Sequence, residues 1–169
     1  MLYHFSEDPN IKLFTPRQLE YRLDEPAMVW AIDAFYAVHY YFPRDCPRIC
    51  LWPMKGTTAE DRERFFGLSC TERLLAIESA WLDRLRTTVL YRYRFDDADF
   101  ELYEANAGYY TATKEVKPVS VERMDDLLQW IVSAGVELRV MPSLQQLRDA
   151  VLTSTVNFSM IRMKNARST

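Results

Sequence analysis

The sequence predicts an α+β fold, an irregular mixed sheet with flanking helices, on three observations. Clean period-two alternation in TVLYRYRF (88–95) marks a half-buried strand, with Leu90, Arg92 and Arg94 facing one way and Tyr91, Tyr93 and Phe95 the other. Helical periodicity bounded by stop residues marks amphipathic helices, such as MDDLLQWIVSA (124–134) ending at Gly135. Strand and helix signals alternate without the regular strand–helix–strand repetition of a doubly wound parallel sheet.

The elements follow in chain order. LYHFS (2–6) reads as a strand, Pro9 and Pro16 bracket an extended IKLF, and MVWAI (28–32) is a compact apolar strand. Asp33 is placed to cap a helix, AFYAVHYYF (34–42), that must end before Pro43. On that helix Phe35, Val38, His39 and Phe42 share one face, and Tyr36 and Tyr40 another. PRDCPR (43–48) is a turn and RICLW (48–52) a buried strand. Thr58 caps AEDRERFF (59–66). Ser69 and Glu72 have capping-box spacing and open a long helix through Leu85, with Leu74, Ile77, Trp81 and Leu85 as its stripe. FELYEA (100–105) and YYTATKEVKPVSV (109–121), broken near Pro118, continue the sheet. VELRVM (136–141) is a strand, SLQQLRDAVL (143–152) a helix started by Ser143 and Gln146, and VNFSMIRM (156–163) a last strand. The expected core comprises Trp30, Ile32, Leu51, Leu74, Ile77, Trp81, Leu128 and Ile131.

Composition bounds the function. A length of 169 residues, 49% of them hydrophobic, suits one domain with a substantial core. With 4 glycines and neither GxGxxG nor GxxxxGK[ST], a glycine-rich phosphate loop is nearly excluded. A net charge of -3 argues against a general nucleic-acid binder. No apolar run approaches the ~20 residues that span a bilayer, and Glu7 and Asp8 replace the cationic start of a signal peptide, so the expected location is cytoplasmic with no membrane partner. The 3 cysteines are too few and odd for a disulfide framework. Cys46 and Cys50, with His39 upstream, lack a fourth ligand for structural zinc, so no metal is expected.

Several residues are candidates for chemistry. His4 shares a strand face with Leu2 and Ser6, and its imidazole either edges a cleft or bonds a backbone carbonyl in the core. Tyr36 and Tyr40 offer rings for stacking and hydroxyls for hydrogen bonds, or they are core. Arg44 and Arg48 are spaced to clamp a phosphate or carboxylate, or to pair internally with Asp45. Glu115, Glu122, Asp125 and Asp126 are available carboxylates, some of them serving as helix N-terminal acids. YRYR interleaves basic and aromatic residues as single-strand RNA binders do.

LYHFS, IKLFTPR and VWAIDAFYAVHYYF together resemble the N-terminal pattern of the ADP-ribosyltransferase-like superfamily, over about residues 1–50. The resemblance implies NAD as a substrate, with no tightly bound cofactor. It implies that His4, with Ser6 beside it, holds the ribose hydroxyls and that Tyr36 or Tyr40 stacks on the nicotinamide. Arg44, read from PRDCPR and not from the resemblance, would meet such a nucleotide's charge. A carboxylate, Glu122 or Glu115, would steady an oxocarbenium-like transition state. The E-x-E and S-T-S signatures of the arginine-modifying branch are absent, and Ile32 stands where the pattern often has Thr. Most of the chain is also similar to a family of short bacterial proteins of unknown function that begin YHFSE and contain FPRDCPR. The alternative to an NAD-using transferase is a non-catalytic binding or interaction module.

Overall fold

The computed structural model describes residues 1–168. In chain order they form β1 (Leu2–Ser6), β2 (Val29–Asp33), β3 (Arg48–Trp52), α1 (Ala59–Phe66), β4 (Leu74–Glu78), α2 (Leu82–Thr87) and β5 (Leu90–Phe95). Then come β6 (Glu101–Glu104), β7 (Tyr109–Ala112), β8 (Ser120–Met124), α3 (Leu127–Ser133), β9 (Glu137–Met141), α4 (Gln145–Leu152) and β10 (Asn157–Ile161). The fold is α+β. Residues 1–41 and 89–125 form one compact unit, and the remaining described residues form another.

The first unit is a six-stranded antiparallel sheet in the order β6-β7-β2-β1-β5-β8. Its apolar face carries Leu2, Val29, Ala31, Tyr93, Phe95 and Ala112. Phe14 and Val116, from the connections around the sheet, cover that face and bridge one another through reciprocal backbone bonds of 2.9 Å. Phe14 sets its ring edge-on to Tyr93 at 5.2 Å and Phe95 at 5.0 Å. The fully buried Tyr93 hydroxyl donates to the Asp8 carbonyl at 2.5 Å and accepts the Ile11 N–H at 3.1 Å, fastening the cover to the sheet. The alternation read in TVLYRYRF holds: Tyr93 and Phe95 enter this core, and Arg92 and Arg94 take the opposite face.

The second unit has a mixed four-stranded sheet, β10-β3-β4-β9, with β4 and β9 parallel. Ile49 and Leu51 of β3 and Leu74 and Ala76 of β4 pack against Phe65 and Phe66 of α1, Leu147 and Val151 of α4, and Leu144, the residue just before α4. Thr58 caps α1 by accepting the Asp61 N–H at 3.2 Å. Asp61 in turn accepts the backbone and hydroxyl hydrogens of Thr155 at 2.7 and 2.5 Å, tying α1 to the turn before β10. Those bonds hold its carboxyl below the usual carboxylate range. No helix among the described residues is long and apolar enough to cross a membrane.

Two predicted helices take other forms. The long helix from Ser69 to Leu85 is replaced by β4, a 3-10 turn (Ser79–Trp81) and α2. All five side chains of β4 are buried, so the run needs cover on both faces, which a central strand obtains and a one-faced helix does not. Ser69 makes a local turn by accepting the Thr71 N–H at 3.3 Å, and Glu72 pairs with Arg62. The helix over 34–42 shrinks to a 3-10 turn, Ala37–Tyr40, because its bulky aromatics gain more from separate packing partners than from helical stacking. Of the expected core, Ile32, Leu51, Leu74, Ile77 and Ile131 are buried, whereas Trp30, Trp81 and Leu128 are only half-buried.

Ile77→Ala, in the middle of β4, should cost about 2–5 kcal/mol of unfolding free energy, and Trp81→Ala less. Chemical denaturation checks the order, and a reversed order would contradict the strand assignment. The Asp61 contribution is sign-specific. A depressed carboxyl stabilises the fold above its unfolded value and loses that effect as pH falls through its lower folded value. Asp61→Asn should therefore lower the melting temperature at neutral pH, and the gap from wild type should close in acid.

Candidate functional site

The sheet's pleat decides which candidate residues can meet. Opposed residues of an antiparallel pair project to the same face, and successive residues to opposite faces. His4 stands opposite Tyr93, and Tyr93 opposite Val121. Phe5 stands opposite Arg92, and Arg92 opposite Glu122. His4 and Glu122 therefore lie on opposite faces of one sheet.

His4 sits on the apolar face. The register of β1 with β2 ends at Tyr3 opposite Ile32, and one residue on the imidazole Nδ1 donates to the Trp30 carbonyl at 3.0 Å. A carbonyl partner assigns the proton to Nδ1. Phe14 presents its ring to the imidazole at 5.0 Å. His4 thus continues the β1–β2 seam with a side chain where the backbone ladder stops. Ser6 ends the same strand, and its hydroxyl accepts the Asp8 N–H at 3.1 Å, starting the turn that leads the cover back across the sheet. Glu122, on the edge strand β8, is bound to the Arg92 guanidinium, whose Nε donates to its carboxylate at 3.0 Å. Arg92 also lies over the Tyr3 ring at 5.1 Å. The arginines of YRYR are spent in such cross-strand contacts, Arg94 donating to Ser120 at 3.3 Å, and Tyr93 is sealed in the core, so YRYR presents no stacking ladder.

The tyrosines after β2 are brought together by a turn. Asp33 ends β2 and its carboxylate accepts the Tyr36 N–H at 2.9 Å, a local turn in place of the predicted helix cap, since the 3-10 segment starts beyond it with Tyr36 at its N-cap position and no side-chain cap. The β6–β7 connection arrives at the same point: the Gly108 carbonyl accepts the Asp33 N–H at 3.0 Å. Gly108 has a φ of 69°, and a Cβ there would strike the Tyr36 ring and come within 2.8 Å of Asp33 Oδ2, so the close approach requires glycine. Tyr36 packs edge-on to the buried His39 at 5.6 Å. The Tyr40 and Tyr109 hydroxyls are 2.7 Å apart. Tyr109 projects with Ile32 and Tyr3 to the face opposite His4, and Trp30, two residues from Ile32, shares that face with its ring 6.0 Å from Tyr109. Tyr40 therefore groups with Tyr109 and Trp30, and not with His4. Sequence reasoning missed Tyr109 and Gly108, since nothing in the spacing of YYTATKEVKPVSV says which residue meets the end of β2.

Arg44 belongs to the second unit, exposed in the turn before Cys46. Arg48 is not available as its partner in a clamp: it is buried, donates to the Cys46 carbonyl at 2.8 Å and lies 5.3 Å from the Phe42 ring centre. All three cysteines are free, and burial pushes the Cys46 and Cys50 thiols up to about 12, which leaves them unreactive. Among the described residues, no three His, Cys, Asp or Glu side chains come together to hold a metal ion.

The chain belongs to a family of unknown function, DUF6886, whose sequence profile matches residues 3–166. No curated protein and no solved structure matches it.

His4→Ala removes the donor to the Trp30 carbonyl and opens space beside Phe14, and should cost about 1–3 kcal/mol. Glu122→Gln breaks an edge-strand ion pair and should stay within about 1 kcal/mol. Denaturant melts of the two variants check the contrast. A His4 loss no larger than the Glu122 loss would show that the imidazole is not part of the seam.

Proposed function

We propose that this member of the family is a binding module for a ligand of the nucleotide class, NAD being the first to test, and that it works in the cytoplasm without group transfer by a His4–Glu122 pair. The observation that carries the reading is the cluster at the end of β2, where the Gly108 turn joins Tyr36 to the paired hydroxyls of Tyr40 and Tyr109. Such a cluster offers ring faces for a base or nicotinamide and hydroxyls for a ribose. The resemblance of residues 1–50 to the ADP-ribosyltransferase-like pattern supports the same ligand through its tyrosine-bearing segment, which follows directly from β2, and not through His4, which takes the other face. The opposite facing of His4 and Glu122 favours binding over transfer by that pair, since two groups on either side of a sheet cannot act on one bond. The free buried thiols favour a reducing compartment.

Calorimetric titration with NAD tests the reading. Wild type should bind. Tyr40→Phe combined with Tyr109→Phe, which keeps both rings and removes both hydroxyls, should weaken binding about tenfold, the loss of one to two hydrogen bonds. Glu122→Gln should bind as wild type does. No heat of binding and no NAD-dependent rise in melting temperature for wild type would reject it.

A further inference from the structure

Residues 17–28 form a loop closed at its neck by Arg17 and Met28, whose backbones exchange bonds of 3.0 and 3.2 Å. Inside it, the Gln18 amide donates to the Arg22 and Glu25 carbonyls at 2.6 Å each, giving the loop its own framework. That framework lays the Arg22 guanidinium between two rings of the sheet, 5.3 Å from the Trp30 ring centre and 5.3 Å from that of Tyr103, with Tyr21 of the loop at 6.0 Å. Trp30 and Tyr103 stand at 69° to one another with centres 4.8 Å apart, two walls of a corner. Arg22 Nη1 donates to Glu25 Oε1 at 3.3 Å and also meets the Tyr103 hydroxyl, which itself donates to Glu25 Oε1 at 2.7 Å.

Aromatic walls with a carboxylate at one end are the chemistry that recognises an organic cation. The corner also has capacity that Arg22 does not use. Glu25 Oε2 and Trp30 Nε1 are both buried and find no hydrogen-bond partner among the described residues. A carboxylate contacted through one oxygen is half-engaged, because a guanidinium can bridge both oxygens through its fork. An orphaned buried polar atom is costly, and a guanidinium, which only donates, can satisfy Glu25 Oε2 but not the Trp30 N–H, so the unmatched carboxylate oxygen is the capacity that points to this ligand.

We propose that Trp30, Tyr103 and Glu25 form a guanidinium-recognition cage that Arg22 occupies as an internal competitor. The ligand class is an arginine-type guanidinium, free or on a peptide, able to engage both Glu25 oxygens. Binding displaces Arg22 from between the rings, and the loop lifts about its Arg17–Met28 neck. The cage borders the Tyr36, Tyr40 and Tyr109 cluster through Trp30, whose ring is 6.0 Å from that of Tyr109, but its occupancy does not depend on NAD binding.

The test titrates methylguanidinium into wild type and Arg22→Ala while following the Trp30 indole N–H by NMR, with melting curves to confirm that each protein is folded. Arg22→Ala should bind at least about tenfold more tightly than wild type, since the competitor is gone. Trp30→Ala and Glu25→Gln in the Arg22→Ala background should each lose that gain. Free arginine and a capped Gly-Arg-Gly peptide distinguish the two sources of the group, and binding of either supports the cage. Methylammonium should bind more weakly than methylguanidinium. Equal binding of the two would overturn the guanidinium assignment. No shift of the Trp30 resonance in folded Arg22→Ala would overturn the cage. Should Arg22→Ala fail to fold, absence of any methylguanidinium-induced shift in wild type overturns it equally.

Discussion

The two-residue pleat of β1, locked to β5 through five opposed pairs, is the constraint on which the first unit depends. It sends Leu2, His4 and Ser6 to one side and Tyr3 and Phe5 to the other. A slip of one residue would exchange the two sets and put the apolar face in the wrong place, so the register is held by burial. That register carries across the sheet to β8 in one direction and β7 in the other. It makes one face a sealed core under Phe14 and Val116, and leaves the other to Trp30, Tyr109, Arg92 and Glu122.

The two faces solve different problems. On the apolar face the polar atoms serve as fasteners. The Tyr93 hydroxyl holds the cover, and the His4 imidazole holds the point where β1 and β2 part. Burial raises the Tyr93 phenol above its ordinary value, so it stays neutral while donating to the Asp8 carbonyl. On the other face aromatic rings and charges stand side by side, and Arg92 contacts both Tyr3 and Glu122 there. Burial likewise raises the Tyr41 phenol, against the pull of Arg92. The same face holds the rings with hydroxyls at the Gly108 turn, and the aromatic corner that Arg22 fills under residues 17–28. Sealed packing and mixed aromatic and charged contacts are thus divided between the two sides of one sheet.

Local patterns written in the sequence reached the structure nearly unchanged. The alternation of LYRYRF, the cap at Thr58, the strands at 2–6 and 48–52, and the amphipathic α3 ending before Gly135 are all settled by neighbours a few residues away. LLAIE was misread because Leu74 and Ile77 satisfy a helical stripe as well as they do a buried strand. Only the cover on both faces, supplied from α1 and α4 on one side, distinguishes them. The shortened turn after β2 was misread for a related reason: Asp33 accepts a backbone N–H three residues on in a turn as it would in a helix cap, and the fate of the aromatics beyond depended on Gly108, seventy-odd residues downstream.

What the sequence by itself determined was the α+β class, the family, most element positions and the residue types of the site: a histidine strand, a tyrosine-rich segment and scattered carboxylates. Only the tertiary structure decided which of them meet. His4 and Glu122 are compatible with one site on paper, yet they take opposite faces of the same sheet once β1, β5 and β8 pair. Tyr40 finds Tyr109, and Arg22 finds Trp30 and Tyr103, across separations no local pattern encodes. Side-chain type is a property of the chain, but the face it occupies is a property of strand register, and register is chosen by the burial of the whole sheet.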